Sequence, residues 1–221
     1  MRSFCLSIAL LATGIALPAS AQVAEIRAGV TEHDVEIFGL GSDKGKENSG
    51  AVHAEILFDE PDFLKPFLSP QPWVGGTLNL GGRTSYGGAG LLFRQTLGER
   101  FYGDWSTGLV VHDGTLEVDP PAFTTDPNFP LATLLNDPGA LTPAQRIRAQ
   151  TENQDFAFRL DNEIEFGSRV LFRNAFALGY RLSDAWAGEV FYEHLSHGKI
   201  LSNGPNEGLD AYGFRAAYRF D

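Results

Sequence analysis

Cysteine is nearly missing from this chain: of 221 residues only Cys5 carries a thiol, and Met1 is the sole methionine. Cys5 sits in an N-terminal leader, without the context of a lipoprotein signal. Met1 and Arg2 give a positive start, Phe4 to Leu17 a short apolar run, and Ala19, Ser20 and Ala21 a small-residue cleavage site. That pattern predicts a secretory signal peptide over residues 1–21, cut before Gln22, and its run is too short for a comfortable membrane helix. With Cys5 removed, the exported chain holds no disulfide, no cysteine-ligated metal and no thiol nucleophile. Basic residues are also scarce. The sequence has 17 Lys and Arg against 28 Asp and Glu. Loss of Arg2 with the leader makes this 16 against 28, a charge of −12. Nucleic acid is excluded as a partner, because phosphate binding needs clustered Lys and Arg. After residue 21 there is no apolar run of transmembrane-helix length, which leaves a strand-built membrane protein open.

Long helical periodicity is rare too. What the chain does have is period two. Eight segments of about ten residues place apolar side chains at alternate positions. They begin at Val23, Ala51, Trp73, Tyr86, Phe101, Arg169, Trp186 and Tyr212. In the last of them Tyr212, Phe214, Ala216, Tyr218 and Phe220 oppose Arg215 and Arg219; in the seventh Trp186, Gly188, Val190 and Tyr192 oppose Glu189 and Glu193. Asn174 interrupts the apolar face of the sixth.

A soluble sandwich or lipocalin-like barrel would turn the apolar face inward, whereas an outer-membrane barrel turns it to lipid. Three features favour the membrane. Aromatics gather near segment ends (Trp73, Phe101, Tyr180, Trp186, Tyr218, Phe220), as interfacial girdles do. The polar faces carry Arg173, Glu189, Glu193, Arg215 and Arg219, opposite charges that neutralise one another inside a narrow barrel. The chain also closes on an aromatic strand, although Asp221 follows the final Phe220. The expected fold is therefore all-β: one eight-stranded antiparallel transmembrane β-barrel over residues 22–221, in the outer membrane of a Gram-negative cell. Its outer connections run at about residues 35–50, 82–85, 112–166 and 197–209. The stretch 113–161 is a long extracellular loop, with a short helix at about 142–150 opened by Thr142 and Pro143.

Chemistry concentrates near the C-terminus, in Y-E-H-L-S-H-G-K-I-L-S-N-G-P-N-E-G-L-D, residues 192–210. Two residues apart on a strand, His194 and Ser196 project to one side about 7 Å apart along the backbone. That side is the lipid-facing one, and Asp210 shares it from the start of the next strand. The three converge at the outer rim, where polar groups facing lipid are costly. An imidazole that takes the serine proton, with a carboxylate fixing its tautomer, makes a serine esterase geometrically possible. Backbone N–H groups just after the serine, at His197 and Gly198, are natural oxyanion donors. Polar decoration of a hairpin rim is the plain alternative. His194 and His197 face opposite sides of a strand and cannot chelate together, so no metal is expected, and no other cofactor. Gly81-Gly82 and Gly87-Gly88 lack the context of a phosphate loop. Interior positions are expected for His33, His53 and His112, and interfacial ones for Arg83, Arg94 and Arg100.

H-L-S-H-G, then P-N-E-G-L-D, then a closing G-x-R-x-x-Y-R-F strand resembles the C-terminal signature of the lipid A 3-O-deacylase family, the PagL-type proteins. The resemblance covers residues 194–220. It implies an eight-stranded outer-membrane barrel that hydrolyses an ester-linked 3-O-hydroxyacyl chain of lipid A in lipopolysaccharide. It assigns base, nucleophile and acid to His194, Ser196 and Asp210, with Asn206 in the stretch that supports the site. The sequence departs from the family in two places. The acid is aspartate where the best-known members have glutamate, and His197 follows the serine where they commonly have asparagine. The competing readings are a non-enzymatic adhesin or structural barrel acting through its acidic loop, and an acyltransferase of the same leaflet.

Overall fold

A computed structural model describes residues 22–35 and 45–220; the expected leader lies outside these residues. Eight strands form an antiparallel meander: β1 (Val23–His33), β2 (Ser49–Phe58), β3 (Gln71–Asn79), β4 (Tyr86–Thr96), β5 (Phe101–His112), β6 (Val170–Arg181), β7 (Trp186–Ser196) and β8 (Leu209–Arg219). Each pairs with its sequence neighbours, and β1 pairs with β8 to close the barrel. Closure removes every free sheet edge, a requirement in hydrocarbon, where unpaired N–H and C=O groups go unsatisfied.

Alternation decides what faces where. Along β7, Ala187, Glu189, Phe191, Glu193 and Leu195 are buried, while Trp186 and Val190 are exposed. Inside, charge is matched by charge. Arg27, with no exposed surface, reaches Glu25 and Asp104 at 2.6 Å each and Glu189 at 3.2 Å. Arg173 holds Glu193 at 2.5 Å and Glu55 at 2.8 Å, and Arg215 holds Glu189 at 2.5 Å and Glu55 at 2.9 Å. Outside is an apolar belt that includes Ile26, Val30, Phe176, Leu178, Val190 and Phe214. A closed barrel with a charged interior and an apolar exterior is the arrangement of an outer-membrane protein.

Three expectations need correction. Trp73 is not part of an aromatic girdle: it points inward, under the guanidinium of Arg173 at 4.6 Å. Arg94 does not stand at an interface; it reaches in to Glu25 and Asp104. Arg219 lies exposed at the end of β8, donating to the Asp184 carbonyl. Gly108 on β5 leaves room for the Trp73 ring, which a β-carbon there would meet at 2.7 Å.

The long outer connection is structured. Thr142 caps α2 (Pro143–Asn162) in a capping box with Gln145, the helix start read from the sequence. The helix runs twelve residues beyond its expected end. A short α1 (Leu131–Asn136) precedes it, and Phe123, Phe129 and Ala149 form a small separate core. After α2 the chain turns into the barrel mouth. Ile164 and Phe166 plug it, packed with Tyr86, Val110, Leu171, Leu195 and Leu209. Glu47 ties this plug to the wall. Its carboxylate accepts from the N–H groups of Thr84 (2.9 Å) and Ile164 (3.3 Å). Burial pushes its pKa up, but bonds from His33, Thr84 and Ile164 outweigh that and hold it below the usual glutamate value.

Candidate active site

The outer ends of β7 and β8 build the site. Their pairing sets His194 opposite Asp210 and Tyr192 opposite Tyr212. On the other side of β7, His194 faces Asn174 and Ser196 faces Phe172 on β6. Ser196 is the last residue of β7. Beyond it Gly198 (φ 59°) and Lys199 (φ 55°) turn the chain sharply, and the Ile200 N–H donates to the His197 carbonyl at 3.0 Å.

The expected residues come together on the lipid-facing side. His194 Nδ1 lies 2.8 Å from Asp210 Oδ1, and its Nε2 lies 3.1 Å from Ser196 Oγ. A carboxylate only accepts, so Nδ1 carries the proton and Nε2 is left to accept from the serine hydroxyl. The His194 side chain is 40% exposed, while that of Asp210 is 1% exposed. The base is therefore open to a lipid lying alongside, and its carboxylate partner is enclosed. Such a relay can draw the proton from a serine attacking an ester.

The supporting residues divide differently. The His197 ring turns inward and is fully buried, as its parity on the strand requires. Its Nδ1 accepts from the Lys199 N–H at 3.2 Å, so Nε2 bears the proton and donates to the Pro205 carbonyl at 2.7 Å. The His197 N–H, expected to serve an oxyanion, donates instead to Asn206 Oδ1 at 3.0 Å. That bond fixes the Asn206 amide with its oxygen toward the strand end.

The loop is braced from above. Glu165 N–H donates to Glu207 at 2.8 Å, Glu207 N–H donates to the Glu165 carbonyl at 3.2 Å, and Lys46 reaches Glu207 at 2.6 Å. Beside the site, the Val35 N–H donates to the Asp210 carbonyl at 3.0 Å. Burial pushes the neighbouring Asp34 carboxyl above the usual aspartate range.

Sequence reasoning missed Tyr192. It was counted with the apolar face, yet its hydroxyl donates to Asp210 Oδ1, the same oxygen that takes His194. The available signal was its parity, two residues before the histidine on one face. Arg83, expected at an interface, donates to the Asn162 carbonyl and so holds the end of α2. Among the described residues no group of three His, Asp or Glu side chains gathers as a metal would need.

The sequence pattern of the lipid A 3-O-deacylase (PagL) family matches residues 156–219, from within α2 to the end of β8. No curated protein matches the sequence. Among solved structures, that of the outer membrane enzyme PagL aligns with a TM-score of 0.51 at 12% identity, covering 89% of this chain and all of the other. Neisserial surface protein A aligns with a TM-score of 0.47 at 7% identity, covering 90% and 99%. The N-terminal barrel of Pseudomonas aeruginosa OprF gives 0.43 at 8%, covering 90% and 99%. At such identities the structural likeness speaks to the fold. The family pattern spans Tyr192, His194, Ser196, Asn206 and Asp210, and over residues 156–219 the chain is similar to the PagL-type family.

Proposed function

We propose that this protein is an outer-membrane serine esterase that removes an ester-linked hydroxyacyl chain from lipid A, at the 3-O position that the family description names. The observation that carries the reading is the side on which the relay opens. Ser196, His194 and Asp210 share the lipid-facing parity at one rim, with His194 within hydrogen-bond reach of both the others. A soluble substrate would not meet a nucleophile there, but a lipid of the outer leaflet would. A groove of about 540 Å³ crosses the same wall a few residues below the site, from Leu178 past Val190 and Phe214 to Val30. Its walls suit hydrocarbon.

In this reading Ser196 Oγ attacks the ester carbonyl as His194 Nε2 takes its proton. Asp210 stabilises the imidazolium. The tetrahedral oxyanion lies against the Gly198 N–H and the Asn206 amide N–H₂, whose orientation the His197 N–H fixes. Collapse breaks the ester C–O bond. The sugar oxygen leaves with the proton from Nε2, and the acyl group stays on Ser196. Water, deprotonated by His194, then releases the hydroxy fatty acid and restores the serine.

The test is expression of wild type and Ser196→Ala in a Gram-negative host, followed by mass spectrometry of lipid A. Wild type should lighten lipid A by one hydroxyacyl chain and free the corresponding acid, and the variant should not. Unchanged lipid A with a folded wild-type barrel sinks the proposal. Acyl gain by another lipid, without free acid, would make the enzyme a transferase.

A further inference from the structure

We propose that Tyr192 is a positioning residue for His194, acting through Asp210; the proposal rests on the serine-esterase reading above. Strand alternation puts Tyr192 on the outward face, two residues before His194. The β7–β8 register sets it diagonally beside Asp210, and its hydroxyl donates to Asp210 Oδ1. One carboxylate oxygen thus takes two donors, the phenol and His194 Nδ1.

A hydroxyl on a lipid-facing wall needs a partner, and satisfying it is one reason for the contact. Its geometry does more. Aspartate has a short side chain, and a second donor on Oδ1 fixes its rotation so that the oxygen meets Nδ1. The phenol also draws charge from that oxygen. With less negative charge facing the ring, the imidazolium is less favoured. Removing the hydroxyl should leave a looser carboxylate, with its charge turned more fully on the imidazole. The other groups facing the relay are Ser196 on β7, Asn174 on β6, Tyr212 on β8, Glu32 beside Tyr212 on β1, and Asp34 in the connection after β1. Tyr192→Phe leaves all of them unchanged.

The experiment uses the full barrel in detergent micelles and measures how fast a fluorophosphonate labels Ser196, between about pH 5 and pH 9. Labelling reads serine activation without needing the natural lipid. Heat-modifiable mobility in electrophoresis confirms that each variant is folded. Tyr192→Phe is expected to label about tenfold more slowly near neutral pH, as suits loss of one hydrogen bond to a charged group. The acid limb of its labelling profile should move to higher pH. In an Asp210→Ala background the same change should alter labelling less than about twofold, because the oxygen that accepts from the phenol is gone. Identical rates and profiles for wild type and Tyr192→Phe would overturn the proposal and leave the esterase intact. A uniform fall with no movement of the acid limb would reduce the tyrosine to packing and also overturn it. Wild type that folds but is never labelled would remove the activated serine, and both readings with it.

Discussion

Gly208 backs directly onto the ring of His194. A β-carbon added to Gly208 would lie 3.2 Å from His194 Cε1 and 3.0 Å from the Leu195 carbonyl oxygen. Its φ of 75° is one that side chains rarely adopt. Gly208→Ala should therefore press on the base and strain the entry to β8. We expect esterase activity to fall by about tenfold or more, since small misplacements of catalytic groups are costly. The barrel itself should still fold. Serine labelling alongside heat-modifiability separates the two effects.

Asp210→Asn keeps the shape of the relay and removes its charge. The amide no longer selects the Nδ1–H tautomer or stabilises the imidazolium. A loss of about 10³-fold or more in kcat is expected, with KM little changed. Kinetics on purified lipid A in mixed micelles measure both. Activity within a few-fold of wild type would remove Asp210 from the mechanism.

Glu47 makes the outer plug sensitive to acid. Its pKa in the folded protein is held below the ordinary glutamate value, so it binds protons less readily folded than unfolded. Its contribution is therefore complete above the unfolded pKa and is lost as pH falls through the folded one. Glu47→Gln should lower plug stability at neutral pH by about 1–3 kcal/mol. The gap from wild type should close as pH drops below about 4. Thermal unfolding in detergent at several pH values, followed by near-ultraviolet circular dichroism, reports it.

Arg27 is the hub of the interior. Arg27→Met would leave Glu25, Glu55, Asp104 and Glu189 facing one another with one fewer cation. Breaking a buried network on one side costs about 3–5 kcal/mol. Urea titration of the refolded barrel should show a lower midpoint. An unchanged midpoint would mean that water or protonation relieves the charge.

The barrel could be read from the sequence because period two leaves a regular trace: all eight segments became strands, with ends displaced by a few residues. What resisted reading were positions where parity alone is silent. An aromatic at a strand end suits either face, and Trp73 went inward because Arg173 there offers a cation to its ring. Arg94 looked interfacial until β5 brought Asp104 beside it. The length of α2 was hidden because the helix has no apolar stripe to count, its buried face being little more than Ala149. In the candidate site, the closeness of His194, Ser196 and Asp210 followed from one hairpin and one parity. The Tyr192 and Asn206 contacts did not. The first depends on a hydroxyl at the tip of a ring with apolar parity, and the second joins residues nine apart within the loop between β7 and β8.

The outward parity of Ser196 gives the site an unusual second wall. A soluble esterase encloses its substrate in protein, but in the reaction proposed above only one side of the cleft is protein and the leaflet supplies the other. Substrate supply is then a surface density, set by the mole fraction of target lipid around the barrel. Diluting that lipid with inert lipid at fixed total protein should slow turnover just as dilution in solution slows a soluble enzyme. Divalent cations that knit neighbouring lipids together should slow it as well, without touching the protein.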